Sequence, residues 1–317
     1  MKHYLSIDIG GTFVKYAFLS EHGDLLEQSK SPTPATKEDF LALLEEVISQ
    51  YRSRISGVGL ACPGSIQTKT GYVRSGGLIP YLKAVPLGAY LTEFSGLPVT
   101  VLNDADAAGL AEAKSGNLNQ VHYGAALVLG TGVGLSVVSD GNLLSLPQLQ
   151  GQDFLTRPLS HVQEREGANL MQALGQVLDL HWRGIKSLVA NSGSAVQFIG
   201  RASQQLGLKE DNGQEVFEQL SFGQDADLRV LFEQYCREIA YLILNLRLLF
   251  QLDKVVIGGG ISQQDLLIEQ IRLAYQEVVT EEDTPVVFRN SPSIEGCRFH
   301  NEANLLGALY FHIQETA

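Results

Sequence analysis

Ile7-Asp8-Ile9-Gly10-Gly11-Thr12 decides the reading of this chain, because a strand that runs into Asp-x-Gly-Gly-Thr brings a carboxylate and a bare backbone turn to one point. Glycines without a Cβ let backbone N–H groups approach phosphate oxygens, a Thr hydroxyl can donate to them, and a carboxylate can hold a hydrated Mg2+ beside the anion. The stretch that follows, Phe13-Val14-Lys15-Tyr16-Ala17-Phe18-Leu19, alternates like a strand and opens no helix. A hairpin is therefore predicted, distinct from the Gly-x-x-x-x-Gly-Lys-Ser/Thr loop and from the dinucleotide fingerprint, both of which lead into a helix. Taken alone, the same residues read equally well as a Gly-Gly β-turn without a ligand.

The pattern returns. Ala125-Ala126-Leu127-Val128-Leu129 enters Gly130-Thr131-Gly132-Val133-Gly134 and leaves through Leu135-Ser136-Val137-Val138. Lys254-Val255-Val256-Ile257 leads to Gly258-Gly259-Gly260-Ile261-Ser262, where glycines either make room for a flat ring or end a strand. Between the first two turns, Val99-Thr100-Val101-Leu102-Asn103 passes into the helical run from Asp104. Either Asn103 or Asp104 can cap that helix. Asp104 can also serve as a base, its ionised form favoured by the helix N-terminus.

Strands are expected near 3–9, 13–19, 24–29, 56–61 and 98–102, with helices near 37–52, 86–95 and 104–114. The second half repeats this order, with strands near 123–129, 133–138, 254–257 and 285–289, several helices between 162 and 250, and one near 264–279. That is a duplicated α/β architecture. Leu228, Leu231, Phe232, Tyr235, Ile239, Leu242, Leu246 and Leu249 recur at steps of three and four, one packed face of a long helix.

The balance of 23 basic against 35 acidic residues gives a net charge of −12, which argues against broad binding to nucleic acid or anionic membranes. Cys62, Cys236 and Cys297 lie far apart, so no disulfide framework or Cys-x-x-Cys metal pair is visible, and a cytoplasmic setting is expected. The N-terminus enters strand-like sequence at once, without the form of a signal peptide. The apolar run Ile239–Phe250 carries Asn245 and Arg247 and is short for a bilayer.

The three glycine turns and the carboxylate, in this order and spacing, resemble the ROK family (repressors, open reading frames and sugar kinases) of the actin/hexokinase-type, ribonuclease H-like ATPase fold. The resemblance covers nearly the whole chain. It implies two lobes with duplicated mixed sheets, 1–115 joined by a closing helix at 302–317, and a larger lobe 116–301 with helical insertions, with nucleotide and sugar in the cleft between. It further implies a homodimeric, ATP-dependent sugar kinase using Mg2+. Asn103-Asp104-Ala105-Asp106-Ala107-Ala108 resembles the family's Asn-Asp-Ala-Asn-Ala-Ala, which makes Asp104 the general base and Asn103 a sugar ligand. By the same resemblance Asp8, Gly10, Gly11 and Thr12 form the first phosphate motif, Asp8 also facing the metal. Gly130, Thr131, Gly132 and Gly134 form the second, and Gly258, Gly259 and Gly260 the adenosine-side turn. Gly64, in Cys62-Pro63-Gly64, lies beside the sugar.

Four departures follow. Phe13 stands where the family has a Lys after Asp-x-Gly-Gly-Thr; Lys15 comes two positions later and is assigned no role. The family's Glu-x-Gly-His falls where this chain reads Gln150-Gly151-Gln152-Asp153-Phe154-Leu155-Thr156, so Asp153 is the proposed stand-in, with His161, Glu164 and Glu166 next in line. Ser75-Gly76-Gly77-Leu78-Ile79-Pro80 replaces an Asn-Leu-Pro segment. The family's zinc motif is replaced by Asn191-Ser192-Gly193-Ser194-Ala195-Val196, and a zinc-free protein is expected. The competing function is a sugar-binding sensor with weak or no turnover. Family repressors carry a DNA-reading segment ahead of the first motif, and with seven residues before Asp8 a repressor of this sequence is expected to lack it.

Overall fold

The computed structural model describes residues 2–144, 193–280 and 291–317. The chain divides into two compact units, Met1–Gly116 with Asn301–Ala317, and Asn117–His300.

In the first unit, β1 (His3–Ile9), β2 (Phe13–Ser20) and β3 (Leu25–Pro32) form an antiparallel meander, and β4 (Val58–Cys62) and β7 (Val99–Asn103) continue the sheet in parallel. The order is β3-β2-β1-β4-β7. Leu5, Ile7 and Ile9 point to one face of β1, against Phe40, Leu44 and Ile48 of α1 (Lys37–Tyr51) and Leu91 of α2 (Leu87–Ser95). Thr36 caps α1 by accepting from the Asp39 N–H, and Glu38 and Asp39 suit its positive end. A small hairpin, β5 (Ser65–Gln67) with β6 (Tyr72–Ser75), follows β4. Helix α3 (Asp104–Ser115) starts as β7 ends.

The second unit repeats the order with β10 (Asn142–Leu143), β9 (Val133–Ser139), β8 (Tyr123–Leu129), β11 (Lys254–Gly259) and β12 (Ser293–Gly296). Its core packs helices α4 (Ala195–Gln205), α5 (Gly213–Phe222), α6 (Ala226–Phe250) and α7 (Asp265–Thr280). The long apolar stripe expected in the sequence is the buried face of α6. Among the described residues, no helix is long and apolar enough to cross a membrane. The strand expected at 285–289 lies outside the described residues.

Helix α8 (Ala303–Thr316) returns to the first unit and covers the other face of its sheet, where Leu305 and Leu309 meet Tyr4, Ala17 and Leu19. Bare glycines set the closeness of this contact. A Cβ at Gly307 would lie 1.8 Å from the Ala107 carbonyl oxygen on α3, and one at Gly59 would lie 2.3 Å from the Ala308 oxygen. On the same helix, His312 is fully buried; its Nδ1 lies 3.0 Å from the Thr100 hydroxyl, and burial lowers its pKa to about 4.

Candidate active site

One side chain caps the start of α3. Asn103 is the N-cap, its Oδ1 accepting from the N–H groups of Ala105 at 2.9 Å and Asp106 at 3.3 Å. Its Nδ2 donates to the Gly64 carbonyl at 2.8 Å, and the same side chain hydrogen-bonds to the Asp104 carboxylate, which lowers that group's pKa. Gly64 makes that contact from a left-handed conformation (φ +92°), and a Cβ there would sit 2.1 Å from the Ser75 carbonyl oxygen. The Cys62-Pro63-Gly64 turn is thereby fastened to Asn103 on one side and approached by the Ser75–Gly77 backbone on the other.

Asp104 is the first residue of α3, partly buried, with its Oδ1 accepting the Ala105 N–H at 2.9 Å. Burial pushes its carboxyl above the ordinary carboxylate range, against the lowering effect of the Ala105 N–H, and the charge of Asp8 pushes in the same upward direction. Asp106, one position past Ala105, is pushed up to about 6 by burial and then by Asp104. Three carboxyl groups are thus gathered around one end of the sheet. A carboxylate with a raised pKa holds a proton more readily than an ordinary surface Asp.

Asp8 is the penultimate residue of β1, beside the Gly10-Gly11-Thr12 turn, and is only 6% exposed. Its Oδ1 accepts from Asn304 Nδ2 at 2.9 Å, and Lys15 Nζ lies 3.5 Å from Oδ2. The cross-strand register explains the second contact, since Lys15 pairs directly with Asp8. Lys15, without a role in the sequence reading, is therefore a partner of the first carboxylate. It also borders a hollow of about 470 Å³ with Gln28, Ser29 and Lys30. Asn304 carries no motif that would have singled it out. The turn itself is closed by Gly10 N–H donating to the Phe13 carbonyl and by the Thr33 hydroxyl donating to the Gly10 carbonyl, leaving Gly11 and Thr12 exposed.

The second turn, between β8 and β9, is closed by Gly130 N–H donating to the Gly132 carbonyl. The Gly130 carbonyl accepts from the Val196 N–H at 3.3 Å and the Ser194 hydroxyl at 3.4 Å, which ties the turn to the start of α4. Thr131 and Gly132 are exposed, and a Cβ at Gly132 would meet nothing within 4 Å. Gly134 pairs with Val128 in the ladder. At the third turn, Gly259 (φ +99°) approaches the Leu129 carbonyl so closely that a Cβ would lie 2.0 Å from its oxygen, Gly258 is buried, and Gly260 faces open space. The second and third turns are therefore neighbours in the second sheet.

Asp153, His161, Glu164, Glu166, Asn191 and Ser192 lie outside the described residues. Among those described, no group of three or more His, Cys, Asp or Glu side chains could hold a metal. Mg2+ keeps several waters and is bound through one or two carboxylates plus substrate phosphates, so a carboxylate beside an exposed glycine turn suits it. Asp8 meets that description.

The chain is similar to known proteins along nearly its whole length. The model of the ROK family matches residues 4–147 and 191–315. A β-glucoside kinase of Listeria monocytogenes is 27% identical over 314 residues, covering 98% of this chain and 97% of its own length. A ROK family protein from Streptococcus pneumoniae TIGR4, solved in complex with sucrose, superposes with a TM-score of 0.77 at 26% identity over 99% of this chain and 98% of its own. A ROK family glucokinase from Streptomyces griseus, solved with glucose and AMPPNP, superposes at 0.69 with 21% identity over 98% and 99%.

Proposed function

The chain belongs to the ROK family, with the actin/hexokinase-type fold, and from that premise we propose that it is an ATP-dependent sugar kinase in which Asp104 is the general base. The observation that carries the reading is the division of labour at α3: Asn103 caps the helix, while Asp104 sits at its first position with a raised pKa.

As the sugar hydroxyl oxygen attacks the γ-phosphorus, its proton passes to the Asp104 carboxylate. The bond from the γ-phosphorus to the bridging oxygen breaks, and ADP leaves with the electron pair. Backbone N–H groups of the Gly10–Thr12 and Gly130–Gly132 turns are the proposed donors to the phosphates, with Gly258–Gly260 beside the adenosine. Asp8 would hold Mg2+, which spreads the charge of the polyphosphate when bound. Asn103, Gly64 and Asp153 are the proposed sugar contacts. The Listeria relative supports placing β-glucosides among the first acceptors to test. A carboxylate one methylene shorter than the family's Glu requires either a shifted loop or an acceptor bulkier than glucose.

ADP release coupled to a reporter enzyme, measured over glucose, mannose, fructose, N-acetylmannosamine and β-glucosides, tests the assignment. Turnover above the rate with water is expected on at least one sugar. Sugar binding without turnover on any of them would favour the sensor reading, to which the altered segment 150–156 also points.

A further inference from the structure

We propose that Asn304 is a positioning residue for the first phosphate turn, its amide holding the Asp8 carboxylate in the orientation that serves the nucleotide. The proposal rests on the reading of Asp8 as the group that faces the nucleotide and its Mg2+.

Each oxygen of Asp8 has a partner, and the two partners differ in kind. Lys15 reaches Oδ2 from a flexible stem, its side chain 34% exposed, at 3.5 Å. That is a charge neighbour with freedom to move. Asn304 reaches Oδ1 at 2.9 Å through a short side chain on the first turn of α8. A neutral amide donor fixes direction without cancelling the charge that a metal or a phosphate-bound water would meet.

The helix that carries Asn304 is itself held at backbone level. Gly307 lies against the Ala107 carbonyl of α3, Gly59 of β4 against the Ala308 carbonyl, and the Tyr310 hydroxyl lies 2.9 Å from that of Ser115. Because α8 packs on α3, whose first residue is Asp104, one helix relates the two carboxylates to each other within the first unit. Such spacing matters, since a misplacement of about 1 Å can cost on the order of a hundredfold in rate.

A double-mutant cycle separates positioning from packing. Asn304→Leu keeps the branching of the side chain and removes the donor; MgATP affinity, read by calorimetry, is expected to fall about tenfold, with sugar affinity and ATP affinity in excess EDTA unchanged. Asp8→Asn is expected to weaken MgATP binding further. In the Asp8→Asn background, Asn304→Leu is expected to change it by less than about twofold, because both act through one carboxylate. Native MgATP affinity for Asn304→Leu, additive effects around the cycle, or an equal loss with and without metal would overturn the proposal while leaving the Asp8 reading in place. Native MgATP affinity for Asp8→Asn would instead overturn that reading, and the proposal with it. Should Asn304→Leu fail to fold, Asn304→Ala is read in the same cycle.

Discussion

The two five-stranded sheets share one strand order, and each places a glycine hairpin at the same point of it, but the residues beside the turns differ. In the first unit the penultimate residue of β1 is Asp8, paired across the ladder with Lys15. In the second, the penultimate residue of β8 is Val128, paired with Gly134. A carboxylate and an ammonium stand in one copy where an isopropyl group and a hydrogen stand in the other. The second turn can therefore offer a ligand only backbone donors and the Thr131 hydroxyl, whereas the first adds full charges. The scaffold is the same in both units, while among the described residues the first carries Asp8 and Lys15 at the turn, Asp104 and Asp106 at α3, and His312 beneath the sheet.

If that division is right, the largest loss belongs to the first unit. Asp104→Asn should lower kcat by roughly two to four powers of ten, with the fold and sugar binding kept, as removal of a general base does. Steady-state kinetics and sugar calorimetry on the same preparation check this; a kcat near the native value would remove Asp104 from the role.

Acid should also strike the first unit before the second. The pKa of His312 is held near 4 in the fold against an ordinary 6.5, so the unfolded chain takes up the proton first. The stability it contributes is complete above pH 6.5 and is lost as pH falls toward 4, a total of about 3 kcal/mol. Hydrogen exchange at pH 5 should find amides of β1, β4 and α8 losing protection ahead of those of β8, β11 and α6. Equal loss in both units would place the acid sensitivity elsewhere.

Asp106 has the opposite sign. Its pKa of about 6 lies above the ordinary 3.8, so the stability tied to its protonated form is present below pH 3.8 and lost as pH rises through 6. Asp106→Asn should stabilise the protein by about 1–2 kcal/mol at pH 7.5 and by little near pH 4. Urea unfolding at the two pH values measures the difference, and an unchanged midpoint at pH 7.5 would count against the burial argument.

The smallest effect belongs to the neutral turn. Gly132→Ala adds a methyl group to open space, so stability should stay within about 0.5 kcal/mol while ATP affinity falls, because the methyl group occupies ground a phosphate would need. Unaltered ATP affinity would mean that this turn meets no nucleotide.

Much of this division can be read along the chain. Glycine clusters at the ends of apolar strands mark all three turns, and the switch from alternation to helical spacing at Asn103 locates α3. What could not be read has physical reasons. Asn304 and Asp8 are 296 positions apart, and nothing local to either announces the contact. The contact of Lys15 with Asp8 depends on strand register, since counting along the chain compares it only with the family's Lys position. Strand β12, Ser293-Ile294-Glu295-Gly296, has a single apolar residue and forms because β11 supplies a parallel partner; β5 and β6 are too short to show a period. The sequence allows either Asn103 or Asp104 to cap α3, and the hydrogen-bond geometry assigns the cap to Asn103.

Helix α8 covers the first sheet but is encoded after the whole of the second unit. On the ribosome, at about 5–20 residues per second, the sheet that carries Asp8 must wait on the order of ten seconds or more for its covering helix, with the face that holds Tyr4, Ala17 and Leu19 unprotected meanwhile. The second unit is one continuous stretch of chain and has no such wait. The usual order of domain completion is thereby reversed in this molecule, and the nascent first unit is where a chaperone would find its apolar binding site.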